Sequence, residues 1–386
     1  MQPKRVVHVG GSDICVHRCG AHISPPKNSW GFSKSVVLCV SGVDPDICMR
    51  KSRLKIKVWR LIRSGGWLAV ASAWALSFLV LGGWLIQATL HERGRTIPPP
   101  GKMVLVSGEW LHLDCRGNPQ HPMVLLEAGA MGWSSVWEWF FVYGKKNHYV
   151  CAWDRAGMGW SQHTTRPADS VASAQLLHQL LHTQKLNDRS FVLVGHSLGA
   201  LYALTYQKLY PQDVRALVLL DPAHPQQLQR LPASAVAKTL DQVTSLNAIL
   251  PLLDFGVARG MIEWKKDSSL HRLPASVYSS VLHVSSSRQH LDRAVQEYLA
   301  WPKTAQAATV PNMPDIPVLV VSASAREAGN RVSNHQWWAL HQGLANLSPQ
   351  GAWVVVPHTA HQSLIMKESA AVLVWERIEQ LERLTP

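Results

Sequence analysis

Five residues constrain this chain more than any others. Gly195-His196-Ser197-Leu198-Gly199 directly follows the apolar run Phe191-Val192-Leu193-Val194 and precedes a helical stretch from Leu201 to Leu209. A strand, Gly-x-Ser-x-Gly and a helix make a nucleophile elbow, a turn tight enough to strain the serine backbone and to require small residues two before and two after it. The serine hydroxyl is then held at the top of a sheet, where a helix N-terminus favours a developing oxyanion. The bland alternative is a glycine-rich βα turn with an incidental serine; the flanking strand and helix favour the elbow.

A nucleophilic serine needs a base oriented by an acid, in the chain order Ser, Asp/Glu, His for this architecture. The last apolar strand, Ala352 to Val356, is followed by Pro357-His358-Thr359-Ala360-His361. His361, at the turn into the closing helical segment, is the preferred base, with His358 as a loop histidine. For the acid, Asp221 closes the strand Ala216 to Leu220, and Glu327 lies in the loop after Pro317 to Val321. No Asp occurs between Ile316 and the C-terminus, so Asp221 is preferred and Glu327 stays open. Asp221 also has a structural alternative, as a turn former before Pro222.

From Gly101 to Pro386 the chain resembles the α/β-hydrolase fold superfamily on three motifs: the elbow, Met123 to Gly132, and Asp154-Arg155-Ala156-Gly157-Met158-Gly159-Trp160-Ser161. The second resembles the third-strand loop, with Glu127-Ala128 where other members carry His-Gly. The resemblance implies an oxyanion hole from the amides of Ala130 and Leu198. The Asp154 turn reads as structural, its glycines supplying positive φ. The implied fold is α/β, a mostly parallel eight-stranded sheet, with strands near 103–107, 110–114, 123–127, 148–153, 191–195, 215–220, 316–322 and 352–356. Residues 222–315 form an insertion expected to be a helical lid, with helices at Ser234–Ile249, Pro274–Val284 and His290–Trp301. Its Leu246, Ile249, Leu250, Leu252, Leu253, Phe255, Met261 and Trp264 either line an apolar pocket or pack the lid onto the body. The implied reaction is acyl transfer to water: His361 deprotonates Ser197, Asp221 fixes the His361 tautomer, and an acyl-enzyme forms and hydrolyses. An apolar ester or amide is the expected substrate, and no metal or organic cofactor is implied. Other acyl-transfer or haloperoxidase chemistry, or a non-catalytic binding protein on the same scaffold, remain the alternatives.

Residues before 101 bear on location. Ser64 to Leu90 is 27 residues without a charge, and about 20 apolar residues suffice to cross a bilayer. Residues 67–90 are therefore read as an uncleaved transmembrane anchor, and 91–100, with Pro98-Pro99-Pro100, as a linker. Seven Lys/Arg and no acid lie between Arg50 and Arg63, which places the N-terminal segment in the cytoplasm and the hydrolase domain across the membrane. Residues 1–66 carry a net +9 of the +13 total, a basic segment that suits anionic lipid. No module for reading nucleic acid accompanies it. Residues 1–48 show no periodicity, and the spacing of Cys15, Cys19, Cys39 and Cys48 is not a clean zinc pattern. Met49 before the basic run is the expected start of translation. In the implied fold the strands of Cys115 and Cys151 are neighbours, so a disulfide between them is open in an oxidising compartment.

Overall fold

The computed structural model describes residues 6–9, 12–15, 67–86, 88–89, 97–232, 241, 243–248, 250, 257–264, 269–310, 315–325 and 331–383. Met49, the basic residues 50–63, Cys19, Cys39, Cys48 and Glu327 lie outside these, as do Ile249, Leu252, Leu253 and Phe255. The chain divides into two compact units, 1–80 and 81–386. Near the N-terminus, Val6–Val9 pairs antiparallel with Ser12–Cys15, a hairpin the sequence reading did not expect. The β-branched Val6, Val7, Val9 and Ile14 supply its strand propensity. The helix Trp67–Ile86 has a mean hydropathy of 1.9 and no buried residue; by length and composition it can cross a membrane.

The second unit is built on eight strands: β1 Lys102–Val106, β2 Glu109–Arg116, β3 Met123–Glu127, β4 Tyr149–Trp153, β5 Phe191–His196, β6 Val214–Leu220, β7 Val318–Ala325 and β8 Gly351–Ala360. Their spatial order is β8-β7-β6-β5-β3-β4-β2-β1. β2 runs antiparallel to both neighbours and the remaining pairs are parallel. All eight expected strands are present. β8 runs four residues past its expected end because a register shift after Val356 lets Ala360 pair again with Ala325; Pro357 hides that continuation in the sequence.

The longer described helices of this unit include α1 Glu138–Gly144, α2 Ser170–Thr183, α3 Leu198–Leu209, α4 Val257–Trp264, α5 Ala275–Ser285, α6 Arg288–Leu299, α7 Trp301–Ala307, α8 Arg331–Ala345 and α9 Glu368–Arg383. The central strands are buried on both faces, which is why they read as continuous apolar runs. One set of side chains, including Leu125, Leu193 and Leu217, packs on Leu177 and Leu180 of α2 and Leu201 and Leu204 of α3. The alternate set, including Val124, Val194 and Val218, packs on Phe140 and Phe141 of α1 and Trp375 and Ile378 of α9. Helices α4 to α7 lie between β6 and β7 in the chain. Leu250 of that segment is buried with Val243, Leu291 and Val295, and Leu246 packs beside them. Met261 and Trp264 are exposed.

Cys115 on β2 faces Cys151 on β4 in register, and the two form a disulfide with Cα atoms 4.0 Å apart. That spacing is the close, non-hydrogen-bonded pair of an antiparallel ladder, where side chains leave on the same face. Both lie at the edge of the main core, Cys151 fully buried. The bond closes a loop of 36 residues, for which the chain-entropy relation gives about 4 kcal/mol. Alkylation of the unfolded protein is expected to modify Cys115 and Cys151 only after reduction, and the Cys115→Ala/Cys151→Ala variant to unfold about 2–4 kcal/mol more easily in urea.

Candidate active site

The elbow places Ser197 between β5 and α3 with φ 55° and ψ −124°, outside the regions an L-residue ordinarily occupies. Its amide donates to Leu220 O at 3.0 Å, tying the turn to the end of β6. The two flanking glycines are required by contact. A Cβ on Gly199 would sit 2.4 Å from Glu127 O, and one on Gly195 would sit 2.7 Å from Gly199 O. Any larger residue pushes α3 off the β3 loop.

Ser197 Oγ donates to His361 Nε2 at 2.9 Å, and His361 Nδ1 donates to Asp221 Oδ2 at 2.6 Å. His361 is partly exposed and Asp221 fully buried. The structure thus brings Ser197, His361 and Asp221 into one hydrogen-bonded chain. His358 stays outside it, exposed in the β8 irregularity with φ 55°. Asp221 itself has φ 41°, and its second oxygen accepts from Ala323 N–H at 3.1 Å. Its own amide donates to Val321 O at 2.6 Å. One bond from β7 therefore fixes the carboxylate and another fixes the Asp221 backbone.

Behind Asp221 lies a relay absent from the sequence reading. His341 Nε2 donates to Pro222 O at 2.9 Å, Ser322 Oγ donates to His341 Nδ1 at 2.7 Å, and Trp353 Nε1 donates to Ser322 Oγ at 2.8 Å. On the other side, His196 Nε2 donates to the His361 carbonyl at 3.1 Å. The two rings lie 4.7 Å apart. Burial, then the neighbouring His361, lowers the His196 pKa to about 3. No sequence signal marks these supports, because their partners are brought together only by the fold, from 19 to 165 residues apart.

Leu198 opens α3, so its amide has no acceptor within the helix. Gly129, just before Ala130, abuts the elbow: a Cβ there would lie 3.0 Å from Ser197 Cβ. The Glu127 side chain turns away from the serine. It accepts from Arg155 Nη1 at 2.6 Å and Trp153 Nε1 at 2.7 Å. Asp154 takes the structural part expected of it. It accepts the Ser134 and Trp160 amides at 2.6 and 2.9 Å and pairs with His112 at 2.9 Å. Burial pushes this carboxyl up, but His112 and the two amides outweigh it and leave the pKa lowered. Gly157 and Gly159 have φ 82° and 54°, as the motif requires. Among the described residues no cluster of three or more His, Cys, Asp or Glu side chains could hold a metal ion.

A family model for the alpha/beta hydrolase fold matches residues 121–368, and the chain belongs to that family. Among curated relatives, monoacylglycerol lipase ABHD6 of Rattus norvegicus is 30% identical over 163 residues, 42% of this chain and 48% of that protein. An uncharacterized protein of Schizosaccharomyces pombe, C23C11.06c, is 24% identical over 323 residues, 73% of this chain and 56% of its own. The chain spans about half the length of these relatives. Among solved structures, epoxide hydrolase VrEH1 from Vigna radiata superposes with a TM-score of 0.59 at 15% identity, covering 72% of this chain and 97% of that one. At that identity the likeness shows the fold alone.

Three buried histidines are held neutral mainly by desolvation: His196 at about 3, His224 at about 4 and His290 at about 4. Unfolded histidine titrates near 6.5, so below that pH the unfolded chain binds protons the folded one refuses, and stability falls. Melting temperature is expected to drop as pH goes from about 6.5 to 4. His290→Gln, which removes one such group, is expected to lessen the drop by about 2 kcal/mol between pH 6.5 and 4.5 in urea titrations.

Proposed function

We propose that this chain is a membrane-anchored serine hydrolase that cleaves carboxylic esters with an apolar acyl or alcohol group through an acyl-enzyme. The carrying observation is the unbroken chain from Ser197 Oγ through His361 to the buried Asp221. In this reading His361 Nε2 takes the Ser197 proton as Oγ attacks the carbonyl, while Asp221 stabilises the imidazolium and holds its tautomer. The oxyanion forms against the amides of Leu198 and Ala130, donors worth about 3–4 kcal/mol each in comparable enzymes. His361 then protonates the leaving alcohol and activates the water that releases the acid.

The likeness to proteins named monoacylglycerol lipase supports the apolar ester class. The apolar helix Trp67–Ile86 supports anchoring, with residues 1–66 in the cytoplasm and 101–386 across the membrane as the basic flank implies. The Cys115–Cys151 disulfide fits an oxidising compartment for the hydrolase domain. Residues 222–315 would act as the lid over the site, supported by α6 lying against the β3 loop.

The test is labelling of the full chain in detergent by a fluorophosphonate, beside Ser197→Ala, His361→Ala, Asp221→Asn and Glu327→Gln. Wild type and Glu327→Gln are expected to label alike. Ser197→Ala and His361→Ala should not label, and Asp221→Asn should turn over esters about 10³–10⁴-fold more slowly. A folded wild type that does not label would leave a binding protein on the hydrolase scaffold. Slowing by Glu327→Gln instead of Asp221→Asn would move the acid.

A further inference from the structure

Among the described residues, one buried charge cluster outside the Ser197 chain has no part in the reaction as described. Arg155 Nε and Nη2 hold Glu297 of α6 at 2.6 and 2.8 Å, and Nη1 holds Glu127 of β3 at 2.6 Å. All three side chains are less than 5% exposed. The guanidinium makes two further hydrogen bonds, Nη1 to Ala128 O at 2.6 Å and Nη2 to Gly129 O at 2.9 Å, and lies 4.7 Å over the Tyr202 ring. Two turns of α6 away, His290 Nε2 donates to Met131 O at 3.1 Å while its Nδ1 accepts the Gly159 amide. Residues 290 and 297 are two turns apart and share a face, so one side of α6 grips the loop through both.

The carbonyl of Gly129 and the amide of Ala130 belong to one planar trans peptide and point in opposite directions. A donor on the Gly129 oxygen therefore sets where the Ala130 N–H points. Gly132 N–H adds a second donor to the same oxygen at 3.1 Å, and Met131 is held at φ 58°, a conformation a free loop would leave. The peptide lies where Gly129 abuts Ser197.

We infer that Arg155, clamped between Glu127 and Glu297, is a positioning residue that aims the Ala130 amide at the oxyanion and ties that aim to the seating of α6. This rests on the hydrolase reading, with Ala130 as an oxyanion donor. The carboxylates keep the guanidinium in one plane, since an Arg with two buried partners cannot rotate without stranding a charge. Lysine cannot replace it, because one ammonium cannot span two carbonyls and two carboxylates. A swing of α6 moves Glu297 and turns the guanidinium, and the Gly129 carbonyl turns with it.

The experiment uses the full chain in detergent, an apolar p-nitrophenyl ester for steady-state kinetics, and fluorophosphonate end-point labelling to count competent sites. The variants are Arg155→Lys and the triple Arg155→Met/Glu127→Gln/Glu297→Gln, which leaves no unpaired buried charge. Both are expected to label to the wild-type end point but more slowly. Turnover per labelled site should fall about 10- to 100-fold, with KM within about threefold of wild type. A merely structural role would lower the end point and leave kcat per labelled site unchanged, and that result in either folded variant overturns the inference. If the triple variant does not fold, Arg155→Lys decides by the same criterion. A wild type that neither labels nor turns over overturns the hydrolase reading and this inference with it. An active wild type with unaffected variants overturns the inference alone.

Discussion

The top of this sheet depends on how closely two backbones meet at Gly199. The first turn of α3 lies against the carbonyls of Glu127 and Ala128, so close that a single methyl group would stand 2.4 Å from one and 2.5 Å from the other. That approach brings the helix N-terminus and the β3 loop to the same point, with Ser197 between them. Two amides from separate parts of the chain can converge on one oxygen only if nothing intervenes. The strained Ser197 backbone follows from the same requirement: the chain must turn from β5 into α3 within one residue. Strain of this kind costs on the order of 1–3 kcal/mol. Here the Ser197 amide bond to Leu220 O and the Ala223 amide bond to Ser197 O, at 3.0 and 2.9 Å, hold the turn from both sides.

The strands and the elbow were legible because their signals are local. Apolar runs together with the family resemblance located all eight strands, and Gly-x-Ser-x-Gly carries its own steric reason. Ser197, His361 and Asp221 could be named from their positions at strand ends. What stayed hidden is non-local. Glu127 reads as a departure from a family motif, yet a carboxylate ending a fully buried strand must find a partner, and its partners are Arg155 and Trp153. Sequence could have raised that question; it could not have answered Glu297, 142 residues from Arg155. The extension of β8 was hidden behind Pro357, and the N-terminal hairpin behind the glycines and cysteines around it.

The histidines divide by what surrounds them. His196, His290 and His341 each donate to a backbone carbonyl. Donating to a carbonyl fixes the tautomer of each ring, and for His196 and His290 desolvation also holds the pKa well below the ordinary value. His361 differs in having a carboxylate on one nitrogen, a hydroxyl on the other, and partial exposure.

The proposed acid, Asp221, takes its support from a neighbouring strand. Asp221 ends β6, one strand from β5, yet β7 supports it: Val321 O accepts its amide and the Ala323 amide binds its carboxylate. β6 and β7 are in register up to Leu220 and Val321. A carboxylate one residue beyond Leu220 therefore reaches the backbone of β7 without any loop to carry it. The positive φ of Asp221 turns the chain out of the strand there, sending Pro222 back against His341 and the carboxylate toward His361. An acid on the loop after β7 would depend on that loop's own order. One at the end of β6 inherits the rigidity of two paired strands, and the hydrogen-bond geometry of His361 follows from the sheet.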